Sequence, residues 1–201
     1  LLALPGVRVA RGVSMAAGRY CGPGVVEQLV QGGASWLGPV NAGLDECGAL
    51  AALLTAGGMP TQALADPMGA VWAKFVFNCV MNPVGALLLG VNAARYEVAE
   101  VRALIDEMAQ ECRAVVLALG GHFAFDPMDY VQRVRAGAAP MARHGGSMAL
   151  DIARGVPTEI DELTGFIVRE AERLHMDVPA CRTVYRLVKG LEHARVLQLA
   201  K

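Results

Sequence analysis

The sequence lacks an excess of charge of either sign. Among its 201 residues, 18 are Lys or Arg and 19 are Asp or Glu, which gives a formal net charge of −1. A nucleic-acid-binding domain normally carries a basic patch or stripe, and the basic residues of this sequence form no cluster of that kind. The composition therefore predicts neither a nucleic-acid partner nor a membrane-surface partner.

Motifs for disulfides and metal ions are also missing. The five cysteines are odd in number, widely spaced and without a CxxC pair, and the four histidines form no HExxH motif. Such spacing is typical of reduced thiols inside a cell and not of a disulfide framework or a zinc site. We therefore expect no metal ion and a cytoplasmic location.

Long apolar runs are absent, although 54% of the residues are hydrophobic and the mean hydropathy is +0.39. The most apolar segment, residues 70–90, is broken by Lys74, Asn78, Asn82 and Pro83, whereas a membrane-spanning helix needs about 18 or more predominantly apolar residues. The first residues carry neither an initiator Met nor the basic start of a signal peptide. We therefore expect a fragment of a longer protein with no membrane span.

Short strands are predicted before residue 66, and helices after it. Alternating and β-branched segments predict strands, and glycine-rich dipeptides predict the turns between them. The strands are expected at residues 7–14, 25–30 and 34–38, with turns at 22–24 and 32–33 and a helix at 46–57. The later helices are expected at residues 68–89 with a kink at Pro83, 98–119 with a Gly120-Gly121 cap, 128–136, a short one from Ser147, 158–174 and 179–199.

Lys74, Asn78 and Asn82 are the first candidate functional group. They are spaced four residues apart on the apolar helix predicted at 68–89, so they form one stripe that drifts by about 80° over two turns. Buried amides need polar partners. The stripe therefore indicates either a structural polar seam between helices, or the lining of a cleft in which Lys74 donates a proton to a carbonyl oxygen.

Ser147 and Glu159 belong to a second candidate group. Ser147 follows Gly145-Gly146 and is expected to cap a short helix, leaving backbone N–H groups for an anion. Thr158 and Asp161 have capping-box spacing, which would place Glu159 in the first turn of a helix, where the dipole favours a carboxylate. That position by itself explains Glu159 without any function.

Together these motifs resemble a known family. The pattern Trp72-x-Lys74-x-x-x-Asn78-x-x-x-Asn82-Pro83 resembles the helical-domain signature of ketopantoate reductases. A second signature of that family is similar to Ser147-Met148-x-x-Asp151-Ile152 followed by Thr158-Glu159-Ile160-Asp161 and Gly165, and Asn92 stands where the family also has an Asn. The strands near Gly12 and Gly22-Pro23-Gly24 look like the end of the family's nucleotide-binding domain.

The resemblance implies a mostly α fold. Residues 67–201 would form an all-helical substrate-binding and catalytic domain of the 6-phosphogluconate-dehydrogenase-like type. Residues 1–66 would be the β-rich, C-terminal part of an α/β Rossmann-type domain that binds NADP. A homodimer is a further expectation, because incomplete sheets leave open strand edges.

The resemblance also implies an activity, the reduction of 2-dehydropantoate (ketopantoate) to pantoate by NADPH on the route to pantothenate and coenzyme A. Lys74 matches the family's general acid. Glu159 and Gly18 are expected on the cofactor side, and the substrate-binding positions match Asn78, Asn82, Asn92 and Ser147.

Two departures keep alternatives open. No GxGxxG fingerprint occurs in the sequence, so the chain as given is expected to bind NADPH weakly. Arg143-His144-Gly145-Gly146 replaces a segment in which the family often has an Asn and a second Ser. The alternatives are a related 2-oxo-acid reductase of the same two-domain group and a helical dimerisation module without catalysis.

Overall fold

The structure is a computed structural model that describes residues 6–28, 34–141 and 145–199. The chain divides into two compact units. The first contains Leu1–Lys74 and Phe123–Phe125, and the second contains Phe75–His122 and Asp126–Lys201.

The first unit is built on a three-stranded sheet. Strand β1 (Ala10–Ser14) pairs antiparallel with β4 (Ser35–Pro39), which pairs in parallel with β5 (Thr61–Ala63). The strands expected at residues 7–14 and 34–38 are therefore confirmed, and β5 was not predicted. Three residues are too few for period-2 alternation to stand out in a sequence.

Helix α1 (Leu44–Ala56) joins β4 to β5, and it confirms the helix expected at 46–57. Parallel strands need such a crossover connection. Leu37 of β4 packs against Cys47 and Ala51 of the helix, and these three residues are 6%, 1% and 5% exposed. This small apolar core holds the strand–helix–strand unit together.

A separate hairpin contains β2 (Gly18–Gly22) and β3 (Val25–Gln28), which pair antiparallel across the predicted turn at 22–24. Strand β2 was not predicted. The turn expected at residues 32–33 lies outside the described residues. The prediction that the strands on either side of this turn pair as a hairpin is nevertheless wrong, because β3 and β4 belong to different sheets.

The second unit is helical. After α2 (Met68–Leu87), its helices are α3 (Ala94–Glu97), α4 (Ala99–Ala118), α5 (Asp129–Arg135), α6 (Ser147–Arg154), α7 (Thr164–Arg173) and α8 (Pro179–Leu199). The mostly α fold with a short preceding β region is therefore confirmed. The helix α4 ends at the predicted glycines, where the amide of Gly121 donates to the Val116 carbonyl at 2.9 Å.

Helix α2 (Met68–Leu87) spans the boundary between the units and contains Pro83. Among the described helices it alone is long and apolar enough to cross a membrane by length and composition. Of its most apolar window, however, 56% is buried inside the protein. This burial is typical of a core helix, and its side chains Val76, Val80 and Val84 are almost fully enclosed.

Buried polar contacts fix the helices of the second unit. Thr164 of α7 donates its hydroxyl to the Cys79 carbonyl of α2 at 2.7 Å. Glu111 of α4 accepts the backbone N–H groups of Ala180 and Cys181, in the first turn of α8, at 2.9 and 2.8 Å. Since the first N–H groups of a helix have no partner within it, Glu111 acts as a cap supplied by another helix.

Candidate active site

Lys74 lies at one end of the polar stripe on α2 (Lys74, Asn78 and Asn82). Its side chain is half-buried, and its ammonium donates a hydrogen bond to the Ser14 backbone carbonyl at the end of β1. Burial lowers the pKa of Lys74 below its ordinary value, since a charged amine loses hydration there. A lysine held in this way gives up its proton more readily than one in water.

Asn78 and Asn82 lie one and two turns further along α2, within the second unit. Both are half-buried. Within the described part of the chain, neither side-chain amide forms a hydrogen bond. A polar seam between helices would pair these amides. Their donors and acceptors are instead left for a ligand or for water.

Asn92 is brought to the same helix by Arg95. The Nη2 atom of Arg95 donates to Oδ1 of Asn92, and its Nη1 atom donates to the Met81 carbonyl of α2 at 3.1 Å. Arg95 is only 5% exposed. The guanidinium therefore ties the Asn92 loop to the turn of α2 that carries Asn82.

Three glycines place the start of α6 beside this loop. A Cβ atom built on Gly145 would lie 2.4 Å from the Gly90 Cα atom, and one built on Gly85 would lie 2.5 Å from the Gly145 carbonyl oxygen. Real Cβ atoms do not approach other heavy atoms so closely. This glycine contact (Gly85, Gly90 and Gly145) lets three backbone segments meet and places Ser147 two residues from the meeting point.

The expected capping role of Ser147 is wrong. Gly146, with a φ of 99°, occupies the N-cap position, and Ser147 is the first helical residue. Its side chain is exposed, and within the described residues its hydroxyl forms no hydrogen bond. The hydroxyl is thus not used by the helix and remains a donor or acceptor for a ligand.

The capping box expected at Thr158 and Asp161 is also wrong, because α7 begins only at Thr164. The Thr158 hydroxyl accepts the Ile160 amide at 3.2 Å in a local turn. Glu159 therefore does not lie in the first turn of a helix, and its helix-dipole explanation fails. Its side chain is exposed and, in the described part of the chain, makes no ion pair.

Side chains of α8 hold the segment that carries Glu159. Lys189 donates to Asp161 at 2.9 Å and pairs with Glu192 at 2.8 Å, and Glu192 also accepts the Thr158 amide at 2.8 Å. Tyr185 donates to Asp161 at 2.8 Å. This carboxylate clamp (Asp161, Lys189 and Glu192) fixes both ends of the turn around Glu159.

The clamp shifts the pKa of each member towards its charged form. Hydrogen bonds from Lys189 and Tyr185 lower the pKa of Asp161. Burial alone would raise the pKa of Glu192, but the bonds from Lys189 and Thr158 outweigh it, so that pKa is also lowered. Glu192 and then Asp161 raise the pKa of Lys189.

We expect the stability given by the clamp to depend on pH. Carboxylates with a lowered folded-state pKa stabilise the fold above their unfolded pKa of about 4, and this contribution is lost as the pH falls through the folded value. Lys189→Met should therefore lower the free energy of unfolding by about 1 kcal/mol at pH 7, the upper range for a partly exposed pair, and by much less near pH 3. Urea denaturation at both pH values measures this.

Arg173→Met is the matched control. Arg173 pairs with Glu170 at 2.8 Å within α7, and its side chain is 62% exposed. Arg173 does not connect two segments of the chain, so Arg173→Met should change the free energy of unfolding only slightly at either pH. An Lys189→Met effect that is equal at pH 7 and pH 3 would contradict the electrostatic origin of the clamp.

Gly18, the other expected cofactor residue, lies in the first unit. It pairs with Gln28 in the β2–β3 hairpin, and a Cβ atom built on it would lie 2.9 Å from Cγ1 of Val26. The space beside Gly18 is thus filled by a neighbouring side chain. Within the described residues, no group of three or more His, Cys, Asp or Glu side chains is arranged to hold a metal ion.

The fold and these residues define a helical domain with a polar stripe on a buried helix. Residues 66–192 match the family described as ketopantoate reductase PanE/ApbA C terminal, and this match spans more than half of the chain. The chain therefore belongs to the ketopantoate reductase family.

Individual relatives agree with this assignment. A 2-dehydropantoate 2-reductase from Archaeoglobus fulgidus is 31% identical over 143 residues, which cover 71% of this chain and 47% of the relative. A solved PanE/ApbA family ketopantoate reductase from Ralstonia eutropha is 32% identical with a TM-score of 0.75, over 92% of this chain and 60% of that chain.

A D-mandelate dehydrogenase solved with NADH and anilino(oxo)acetate shares the fold. Its TM-score is 0.78 at 21% identity, over 92% of this chain and 60% of that chain. The chain spans about half the length of the curated relatives it matches.

Proposed function

We propose that this chain is the substrate-binding and proton-donating part of an NADPH-dependent reductase that converts ketopantoate to pantoate, for pantothenate and coenzyme A synthesis. The observation that carries the proposal is the polar stripe on α2. In this stripe a half-buried ammonium is followed by two half-buried side-chain amides, and these amides form no hydrogen bond within the described part of the chain. Residues 67–201 form the helical domain of the proposal, and residues 1–66 form the end of a nucleotide-binding domain.

Lys74 is the proposed general acid. Reduction of a 2-oxo group adds hydride to the carbonyl carbon and leaves negative charge on the oxygen, which takes a proton. Lys74 suits this step because its ammonium is held by the Ser14 carbonyl and burial lowers its pKa. A proton donor works best when its pKa is close to the operating pH.

The proposed substrate contacts are amides and a hydroxyl. Ketopantoate offers a carboxylate, a carbonyl and a hydroxyl group, and such oxygens accept hydrogen bonds from Asn and Ser side chains. Asn78 and Asn82 lie on α2, while Asn92 and Ser147 lie on segments that Arg95 and the glycine contact hold in place. A site built from neutral donors with a single ammonium suits a small polar anion.

Gly18 and Glu159, as the described part of the chain places them, do not by themselves form a site for a dinucleotide. The space beside Gly18 is filled by Val26, and Glu159 stands exposed on its turn. Neither forms a cradle of backbone amides of the kind that binds a pyrophosphate. We therefore assign the cofactor, a nicotinamide dinucleotide and more specifically NADPH, to the longer protein that carries this chain.

The direct test is binding. We expect pantoate and ketopantoate to bind the 201-residue chain in calorimetric titration, and Asn82→Ala and Ser147→Ala each to weaken that binding by about 10- to 100-fold. The reason is that a hydrogen bond to a charged partner contributes about 1.5–3 kcal/mol, and each 1.4 kcal/mol is a factor of ten.

Gln132→Ala is the matched control, since Gln132 is an exposed amide on α5. It should leave the affinity unchanged. If both site variants bind pantoate as tightly as the wild type does, neither residue lines the site. If no 2-oxo or 2-hydroxy acid binds, the chain is better explained as a helical dimerisation module without catalysis.

Two further assignments accompany the proposal. A homodimer is favoured because the hairpin residues Tyr20, Val25 and Val26 are 71%, 56% and 69% exposed, an apolar surface next to open strand edges. A cytoplasmic location suits an enzyme of coenzyme A synthesis. Binding of a related 2-oxo acid in preference to ketopantoate would favour the alternative reductase of the same two-domain group.

A further inference from the structure

The carbonyl that holds Lys74 lies at the end of a strand. It belongs to Ser14, the last residue of β1. The end of a strand is held by fewer backbone hydrogen bonds than its centre, so it opens locally more easily. The position of the Lys74 ammonium therefore depends on the contacts that fix this one strand end.

A backbone hydrogen bond sets the direction of the Ser14 carbonyl. The peptide unit between Ser14 and Met15 is planar and trans, so its C=O and N–H groups point in opposite directions. The Met15 N–H donates to the Ala34 carbonyl at 3.0 Å. The Ser14 carbonyl therefore points away from that bond, to the side on which the ammonium of Lys74 donates to it.

Two hydroxyl groups hold the atoms next to this peptide unit. Ser35, the first residue of β4, lies opposite Ser14 in register and donates its hydroxyl to Oγ of Ser14 at 2.7 Å. The same Oγ atom accepts the N–H of Ala16 at 3.0 Å. A local bond of this kind takes the place of a ladder hydrogen bond. The Ser14 hydroxyl therefore ties the chain beyond Met15 to β4.

Ser35 itself belongs to the firmest part of the sheet. It is only 4% exposed, and β4 is the central strand, between β1 and β5. The Ser35 N–H donates to the Pro60 carbonyl at 2.9 Å. A buried hydroxyl that loses its partner costs free energy, so burial keeps the hydroxyl of Ser35 on Ser14. The hydroxyl pair (Ser14 and Ser35) thus links the end of β1 to the centre of the sheet.

We propose that the hydroxyl pair positions the proton donor: it fixes the Ser14 carbonyl, and this carbonyl holds the amino group of Lys74 in place for proton transfer. The inference rests on the proposed function for the role of Lys74 as a general acid. Both serines are positioning residues that act through the Ser14 carbonyl and not on the substrate. A carbonyl accepts a hydrogen bond from an ammonium and from a neutral amine alike, so the support is present before and after the proton is given up.

The pKa of Lys74 distinguishes this role from a merely structural one. A hydrogen bond from the ammonium to a carbonyl stabilises the charged form and raises the pKa. A displaced carbonyl should therefore let the pKa of Lys74 fall further below its ordinary value than burial already takes it. A general loosening of the sheet would admit water and raise that pKa towards its ordinary value. The two outcomes have opposite signs.

Ser14→Val and Ser14→Thr are a matched pair, since Val and Thr have nearly the same shape and only Thr keeps the hydroxyl. In the 201-residue chain, we expect the pKa of Lys74 to fall by about 0.5–1 in Ser14→Val, part of what a full hydrogen bond to a charged group contributes. In Ser14→Thr it should stay as in the wild type. Nuclear magnetic resonance of the lysine side chains measures this directly, because the sequence contains only three lysines, Lys74, Lys189 and Lys201.

Ser35→Ala tests the other half of the pair. It should lower the pKa of Lys74 as Ser14→Val does, and the two changes together should lower it no further, because both remove the same hydrogen bond. Thr61→Val is the control: Thr61 lies opposite Ser35 on the β5 side, and its hydroxyl donates to the Met59 carbonyl at 2.8 Å. It should leave the pKa of Lys74 unchanged. An unchanged or raised pKa of Lys74 in Ser14→Val would overturn the proposal.

Kinetics of the longer protein separate this inference from the proposed function. We expect Ser14→Val to lower kcat for ketopantoate about three- to tenfold with KM unchanged, since part of the general acid contribution is lost. The basic limb of the pH profile of kcat should move to lower pH, because an acid with a lower pKa loses its proton at lower pH. A lowered pKa of Lys74 with an unchanged kcat profile would contradict Lys74 as the general acid, while the hydroxyl pair would still hold its amino group.

Discussion

Lys74→Ala should remove most of the turnover of a protein that joins this chain to a nucleotide-binding domain. Lys74 is the only member of the polar stripe that can act as an acid, because the other two members are neutral amides. General acid catalysis contributes about 10²- to 10⁴-fold to a rate. Steady-state kinetics with NADPH and ketopantoate measure the loss. We expect kcat to fall much more than the affinity for ketopantoate, because the proton is transferred only in the transition state.

Two variants separate the chemistry of Lys74 from its structural contact. Lys74→Met keeps most of the apolar stem and should be as inactive as Lys74→Ala, with a melting temperature near that of the wild type. Arg8→Met removes an exposed cation of the first unit that pairs with Glu46 at 2.8 Å, and it should keep full activity. A Lys74→Met protein with near wild-type kcat would remove Lys74 from the mechanism.

Gly145→Ala should lower the stability of the second unit strongly for a change that adds a single methyl group. The added Cβ would lie 2.4 Å from the Gly90 Cα atom and 2.7 Å from the Gly90 carbonyl oxygen. Both are backbone atoms, so neither can move aside as a flexible side chain would. Overpacking typically costs about 1–3 kcal/mol, and we expect the upper end of this range. Urea denaturation followed by circular dichroism measures it.

Gly190→Ala is the matched control. Gly190 lies within α8, and a Cβ atom added there meets nothing within 4 Å. The change should be neutral or stabilise the chain by up to about 1 kcal/mol, the difference in helix propensity between Gly and Ala. A Gly145→Ala chain as stable as the wild type would show that the backbone contact between residues 145 and 90 is not present in solution.

Much of the helical fold could be predicted from the sequence. The helices α1, α2, α4 and α8 follow long patterns of apolar residues that have glycine or proline at one end or close to it, and the short α5 lies between Pro127 and Gly137. The elements β2, β5 and α3 were not predicted. Strand β5 and helix α3 have only three and four residues, too few to establish a period, and β2 has a glycine at each end. Their positions depend on partners elsewhere in the chain.

The start of α7 shows why a local motif was misleading. Thr158 and Asp161 have the spacing of a capping box, but both are engaged by α8, through Glu192 and Lys189. These partners lie 34 and 28 residues away in sequence. Tertiary hydrogen bonds thus outweighed the local capping preference, and no window of ten residues contains that information.

The sequence predicted the hydrogen-bond donors of the candidate site, but it did not predict the residues that hold those donors in place. The stripe on α2 follows from four-residue spacing on an apolar helix. Arg95 was missed, although an arginine three residues after Asn92 in an apolar segment was a usable signal. The Ser14 carbonyl that holds Lys74 was invisible, because every residue has a carbonyl and only the fold selects one.

The cap that Glu111 provides for α8 links the first turn of that helix to a distant part of the chain. Its first-turn amides bond to a carboxylate 69 and 70 residues earlier in the chain, and contacts between such distant residues form only after the entropy of loop closure has been overcome. We therefore expect helix α8 to complete its first turn late in folding, after α4 is in place. In the native protein, hydrogen exchange of the Ala180 and Cys181 amides reports the docking of two helices and not the fraying of one helix end.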